Sequence, residues 1–294
     1  MPARCRLIGL VMLVCALSLA SRAAAEAQRD ALGPIHSAMT AKVVERLKKV
    51  LAASGGAKDA FVKVGDSNTA NPSFLTCLSG GDVKLGAHAE LEATRKFFDA
   101  RKVDALHSSF DRISLSAAIG WLAGNALAGS VSPLVREISA VKPAFAVVML
   151  GTNDNRVNGF EVFVKNLTEL IDRTLSLGVV PLLSTLPPRD DSPSAAARVP
   201  ELNRAIRDLA ERRSVPLMDL YAALLPLPRH GLVEDGIHLS TPWDNEKPHG
   251  CWLTPDALQK GMNTRNLVVL TALHRVRRFL IENDKPEVES APRA

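Results

Sequence analysis

Residues 143–150, PAFAVVML, run directly into Gly151-Thr152-Asn153-Asp154, and this stretch decides how the chain is read. Eight apolar residues without a charge are too few for a core helix. They suit a strand buried on both faces, and the glycine that ends them marks a loop at its carboxyl end. The same shape recurs: Ala60 to Val64 stops at Gly65, Val179 to Leu183 enters a proline-rich loop, and Val215 to Leu220 follows a helical pattern. Between these runs the apolar residues fall at helical spacing, as in Phe160, Phe163, Val164, Leu167, Leu170 and Ile171, then Leu202, Ile206, Leu209 and Ala210. Further helices are predicted from Ala38 to Ala53, stopped by Gly55-Gly56, and from about Asn266 to Glu282, where Asn266 suits a cap. Strands alternating with helices predict an α/β chain, a three-layer α/β/α sandwich with a mostly parallel central sheet. The strands of such a sheet carry functional groups at their carboxyl ends. The stretch 71–111 shows little pattern beyond one helix near His88 to Ala100.

Three segments follow from composition. Arg4 and Arg6 precede an apolar run from Leu7 to Ala20 and the small residues Ala23-Ala24-Ala25. That reads as a cleavable secretory signal over residues 1–25, since a membrane-spanning helix needs about 20 apolar residues. Residues 26–283 form the expected domain, and 284–294 (DKPEVESAPRA) the expected disordered tail. The mature chain is thus expected outside the cytoplasm, periplasmic or extracellular, with no membrane span. The formal charge of +5 includes three arginines, Arg4, Arg6 and Arg22, that leave with the signal, which brings it to about +2. With one tyrosine and no basic stretch interleaved with aromatics, no nucleic-acid partner is expected. His36, His88, His107, His230, His249 and His274 are scattered without metal-ligand spacing, and neither metal nor other cofactor is implied. Oligomeric state is not readable. Cys77 and Cys251 remain after the signal, and in an exported chain they either pair or stay as two buried thiols.

Three short motifs lie where the strand pattern puts loops: Gly65-Asp66-Ser67-Asn68-Thr69, Gly151-Thr152-Asn153-Asp154, and Asp235-Gly236-Ile237-His238-Leu239. Singly each is an ordinary turn, cap or structural histidine. Their occurrence together, two of them directly after buried strands, carries more. The combination resembles the SGNH hydrolases, also called the GDSL esterase and lipase family, over most of the mature chain. By match, the resemblance implies Ser67 as nucleophile, Asp235 and His238 as acid and base, and Asn153 as an oxyanion donor. It further implies a backbone donor from a glycine, Gly120 in SAAIGWL or its rival Gly124. The chemistry agrees with this assignment. A serine hydroxyl needs a neighbouring imidazole to take its proton, and a carboxylate on the other ring nitrogen fixes the tautomer. Asp235, three residues before His238, is preferred to Asp219, whose alternative is a helix cap. The Ser67, Gly120 and Asn153 N–H groups would receive the negative charge of the attacked carbonyl.

Other readings of the same residues are poorer. Gly-x-Ser-x-Gly is not met, because Thr69 stands in its last place, and no Gly-Lys-Ser or Gly-Lys-Thr follows Gly65. The resemblance implies an exported serine esterase acting on acylated polysaccharide, cell-wall material or lipid. The alternatives are an O-acyltransferase on the same fold and a surface binding protein without catalysis. Trp243 and Trp252 follow the histidine, either as a sugar-stacking wall or, the preferred reading, as loop packing. A Cys77–Cys251 disulfide would brace the same cleft.

Overall fold

The computed structural model describes residues 34–244 and 246–287; the signal expected over residues 1–25 and the last seven residues lie outside the described part. Four strands form one parallel sheet in the order β1 (Ala57–Gly65), β2 (Pro143–Met149), β3 (Val180–Ser184) and β4 (Leu217–Met218). Val64 pairs with Val148 and Val148 with Leu183, so the three apolar runs lie side by side. Ala60 to Gly65, all of β2 and all of β3 are buried, which requires cover on both faces. The expected α/β architecture is the one observed.

On one face lie α3 (Pro133–Val141), α4 (Phe160–Ser176) and α5 (Pro193–Arg213); on the other lie α1 (Ala41–Ser54), α2 (Glu92–Ala100) and α6 (Gly261–Val276). Helix α1 begins three residues later than its apolar pattern suggests, because Thr40 caps it through the Val43 N–H and the preceding residues are extended. Gly55 closes it at φ +63°. An edge-to-face cluster of Phe61, Phe98, Phe110 and Phe145, with ring centroids 5.2 to 6.1 Å apart, ties the pattern-poor 98–110 region to β1 and β2.

One detail of the sheet sets the site. On the edge of β1 away from β2, the Gly65 N–H donates to Ser116 O (3.1 Å) and the Ala118 N–H donates to Gly65 O (3.3 Å). The chain leaves β1, pairs on one side at Ala117 and then crosses to β2 on the other. Such a reversal opens a crevice at the carboxyl ends of the strands, beside Gly65.

Three expectations need correction. Only Leu217–Met218 of the predicted 215–220 strand pairs, because Asp219 turns away to cap the next helical turn through the Ala222 N–H (3.1 Å). Helix α6 starts at Gly261, not near Asn266. Its first turns bury Asn263, Arg265 and Asn266, polar residues that read as surface in sequence. The tail expected to be disordered from residue 284 is held through Glu287, which accepts from the Met39 N–H (2.8 Å) and pairs with Arg275 (2.8 Å).

Candidate active site

Gly65 ends β1 against the side chain of Thr69 and the carbonyl of Met149, so a Cβ there would collide with both. The chain can then turn sharply into Ser67–Ala70, one helical turn capped by the Asp66 carboxylate through the Asn68 N–H (3.0 Å). Ser67 thus stands at the amino end of this turn, at the mouth of the crevice.

The 235–238 loop reaches it from across the fold. His238 Nε2 lies 3.0 Å from Ser67 Oγ, and His238 Nδ1 lies 2.6 Å from Asp235 Oδ2. Asp235 Oδ1 accepts from the Ile237 N–H (2.8 Å) and the His238 N–H (2.9 Å), so the carboxylate organises its own loop as well as the ring. Its partial burial pulls its pKa upward. The hydrogen bonds from the His238 ring and from the two backbone N–H groups outweigh that pull and hold it below the ordinary carboxylate value. Gly236 takes φ +68°, where a Cβ would press on the backbone of Asp190 and Asp191. Asn68 joins the two loops directly, its Oδ1 accepting from the Leu239 N–H (3.2 Å). His238 and Asp235 keep 41% and 44% of their side chains exposed, so the pair is open to solvent and to a ligand.

The third motif closes the arrangement. Asn153 Nδ2 donates to Trp121 O (3.0 Å), and Asp154 accepts from the Ala123 N–H (2.9 Å), which fastens the loop after β2 to the loop carrying Gly120. Gly120, at φ +77°, lies between two anchors: residues 116–118 on Gly65, and Trp121 on Asn153. Gly124 is placed differently, packed against the Asn166 side chain of α4. Asp219, the rival acid, is held by Arg207 (2.7 and 3.1 Å) and Thr185 (3.0 Å) and is not paired with His238. Ser67, His238 and Asp235 are therefore brought into one hydrogen-bonded line, while Asn153 and Gly120 stand on adjoining loops.

Sequence reasoning missed what lies beneath. Arg265, from α6, is fully buried and donates to Asn68 O (2.7 Å) and Thr69 Oγ1 (2.8 Å), the backbone and side chain of the serine's own turn. Its guanidinium lies 3.7 Å from the Phe74 ring centroid. Burial lowers its pKa, opposed by the charge of Asp66; burial raises Asp66, opposed first by Arg265. A guanidinium still carries its charge at neutral pH, so a buried positive charge lies beneath Ser67 and its field favours the charged form of Asp66, although no hydrogen bond joins the two: Asp66 Oδ2 and Arg265 Nε have no partner among the described residues. Asn266 beside it accepts from the Leu75 N–H (3.1 Å) and donates to Ser73 O and Gly250 O (both 2.9 Å), and so is not a cap. The only sequence signal was the run of polar residues at 263–266 just before an apolar stripe.

The segments behind the two loops are joined covalently. Cys77 and Cys251 form a disulfide with Cα atoms 5.7 Å apart. Next to it, the Trp252 ring is covered by His249 on one side (3.8 Å between centroids) and by Lys84 on the other (3.2 Å), and its Nε1–H donates to Asp82 (2.8 Å). Trp252 is thus packing, as expected. Trp243, by contrast, is 64% exposed.

With that geometry in view, comparisons place the chain among known proteins. The profile of the GDSL-like Lipase/Acylhydrolase family matches residues 64–242, which contain all three motifs. No curated protein matches the chain in sequence. Among solved structures, a GDSL-like lipase from Bacteroides thetaiotaomicron is 15% identical with a TM-score of 0.45, covering 79% of this chain and 98% of that one. An acetylxylan esterase from Geobacillus stearothermophilus is 16% identical with a TM-score of 0.47, covering 75% and 94%. An alpha/beta hydrolase enzyme from the metagenome of Lake Arreo, Spain, is 20% identical with a TM-score of 0.47, covering 75% and 96%.

Proposed function

The chain belongs to the GDSL-like lipase/acylhydrolase family of carboxylic ester hydrolases, and from that premise we propose an exported serine esterase that works through an acyl-Ser67 intermediate. The observation that carries this reading is the unbroken hydrogen-bonded line from Ser67 Oγ through His238 to Asp235. Ser67 Oγ attacks the acyl carbonyl carbon as its proton passes to His238 Nε2. Asp235 keeps the other ring nitrogen protonated and stabilises the imidazolium. Negative charge on the carbonyl oxygen is received by the Ser67 and Gly120 N–H groups and by the Asn153 amide, donors fixed before the reaction begins. The alcohol leaves with the proton of His238, and water then repeats the sequence to release the acid.

Export is supported by the leader-like residues 1–25 and by the disulfide, a bond that persists in oxidising compartments. Substrates that suit such a place are acylated polysaccharide, cell-wall material and lipid. Among the described residues, no helix is long and apolar enough to cross a membrane.

The test compares the mature chain with Ser67→Ala for hydrolysis of p-nitrophenyl acetate, butyrate and octanoate and for labelling by a fluorophosphonate. Activity and labelling in the parent alone support the reading. A folded parent with neither, or a variant that keeps both, removes Ser67 from the chemistry. Intact mass of the secreted chain checks export, since a retained leader contradicts it.

A further inference from the structure

A cavity of about 350 Å³ lies between residues 69–72 and the segment 111–117, with none of its lining drawn from the 235–238 loop. Ala70, three residues after Ser67, shares one face of the helical turn with it. Ala117, on the opposite wall, is paired with Gly65. The cavity is thus walled by the two segments that flank Gly65 and Ser67, and its volume falls at the lower end of small-ligand pockets.

Its wall carries hydrogen-bonding capacity that the fold does not use. Lys63, only 6% exposed, donates to Phe110 O (2.7 Å), and no other acceptor among the described residues engages its ammonium. Asp111 accepts through Oδ1 from Ser79 and Ser108, while no described donor reaches Oδ2. Asn71 accepts from the Ser73 N–H through Oδ1 and leaves its amide N–H groups without a described acceptor. Arg112, by contrast, is spent on Glu137 and Asp104. The wall thus offers donors at Lys63 and Asn71 and an acceptor at Asp111, with one positive and one negative charge that balance. A lone anion would meet Asp111, and an alkyl chain would bury all three groups unpaired, at a cost. A ring of adjacent hydroxyls both donates and accepts, and its C–H faces suit Ala70, Ile113 and Ala117.

We propose that this cavity is the subsite for a sugar ring, so that the alcohol half of the ester is a carbohydrate, with Lys63 and Asp111 determining specificity. The inference rests on the Ser67 esterase reading and narrows its substrate class. Burial lowers Lys63 to about 8, against the pull of Asp111 and Glu137, so it remains an ammonium donor at neutral pH.

The test measures kcat/KM for monoacetylated methyl glycosides of glucose, xylose and N-acetylglucosamine, each divided by that for cyclohexyl acetate. The native enzyme should favour at least one glycoside. Lys63→Met, which removes a buried charge without removing bulk, should lower that ratio about tenfold, chiefly through KM, as loss of a charged hydrogen bond implies. Asp111→Asn provides the same readout should Lys63→Met not fold. A ratio unchanged in the folded variants, or a native preference for cyclohexyl acetate over every glycoside, overturns the proposal. Binding of the methyl glycosides to Ser67→Ala, followed by ligand-observed NMR, decides the subsite without catalysis. Binding there with an inert parent enzyme would sink the esterase reading and leave the sugar subsite standing.

Discussion

Replacing Arg265 by Met puts the buried charges beneath Ser67 to a quantitative test. Methionine keeps the stem over Phe74 but removes the donors to Asn68 O and Thr69 Oγ1, and it leaves the fully buried Asp66 without its counter-charge. Two hydrogen bonds from a buried charge, at about 1.5 to 3 kcal/mol each, set the loss at about 3 to 6 kcal/mol. The loss should depend on pH in a defined direction. Burial already raises Asp66 above its unfolded value, so its ionisation opposes folding as pH rises through the folded pKa, and removing Arg265 raises that pKa further. The penalty should therefore be larger near pH 8 than near pH 5, because the raised Asp66 binds its proton more tightly in the folded chain than in the unfolded one. Urea denaturation of both proteins at the two pH values measures this. Adding Asp66→Asn, which keeps an oxygen for the Asn68 N–H and removes the buried negative charge, should recover about 1 kcal/mol of the loss at pH 8, a coupling expected of charges that interact through space. A penalty below about 1 kcal/mol, or one independent of pH and of residue 66, would refute the buried-charge argument.

Other expectations follow from the same contacts. Asn153→Ala should lower kcat by about 10² to 10³ while KM changes little, the usual cost of an oxyanion donor, and near-normal turnover in steady-state kinetics removes Asn153 from the scheme. The Cys77–Cys251 bond closes a chain separation of 174 residues, so replacing both by Ser should cost about 2 to 5 kcal/mol in denaturant. Non-reducing alkylation followed by intact mass should find neither thiol blocked. His249 donates to Asp82 (2.8 Å) and Asp244 (2.6 Å); burial alone would lower its pKa, but these two carboxylates raise it. That contribution is present below the unfolded value of 6.5 and lost as pH rises through the folded pKa, so stability should decline from neutral toward mildly alkaline pH. A His249→Gln series that shows the same decline in thermal melts contradicts the assignment.

The meeting of the three loops was legible in sequence because each motif is local. A glycine and two or three polar residues directly after an uncharged run announce a loop at a strand end, and the topology then has only to bring three such loops together. What supports them was not legible. Arg265, Asn263 and Asn266 look like the polar start of a surface helix, and only the packing of α6 under the serine turn makes them interior. The 71–111 stretch failed for a related reason. Phe98 and Phe110 belong to the core through contacts with Phe61 and Phe145 that have no period along the chain, and Asn71 and Asp111 of the cavity wall bound the same stretch. Gly120 was separable from Gly124 only once Trp121 was seen on Asn153 and Gly124 on Asn166.

The two halves of the site are held by different physics, and this bears on how it works. Ser67 is fixed from within: its turn is capped by buried Asp66 and gripped by buried Arg265, so its position should change little when a ligand arrives. The Asp235–His238 pair is half open to solvent, and exposed ion pairs alone contribute little to order. Its placement depends instead on its own backbone hydrogen bonds, on the Asn68–Leu239 link, and on the disulfide a short distance down the chain. On the proposed Ser67 mechanism, a rigid nucleophile and oxyanion side with a braced but exposed base would allow an alcohol half of considerable size to enter and leave past His238. On the same mechanism the acyl carbonyl would meet donors that need little rearrangement, which is where preorganisation lowers the barrier most.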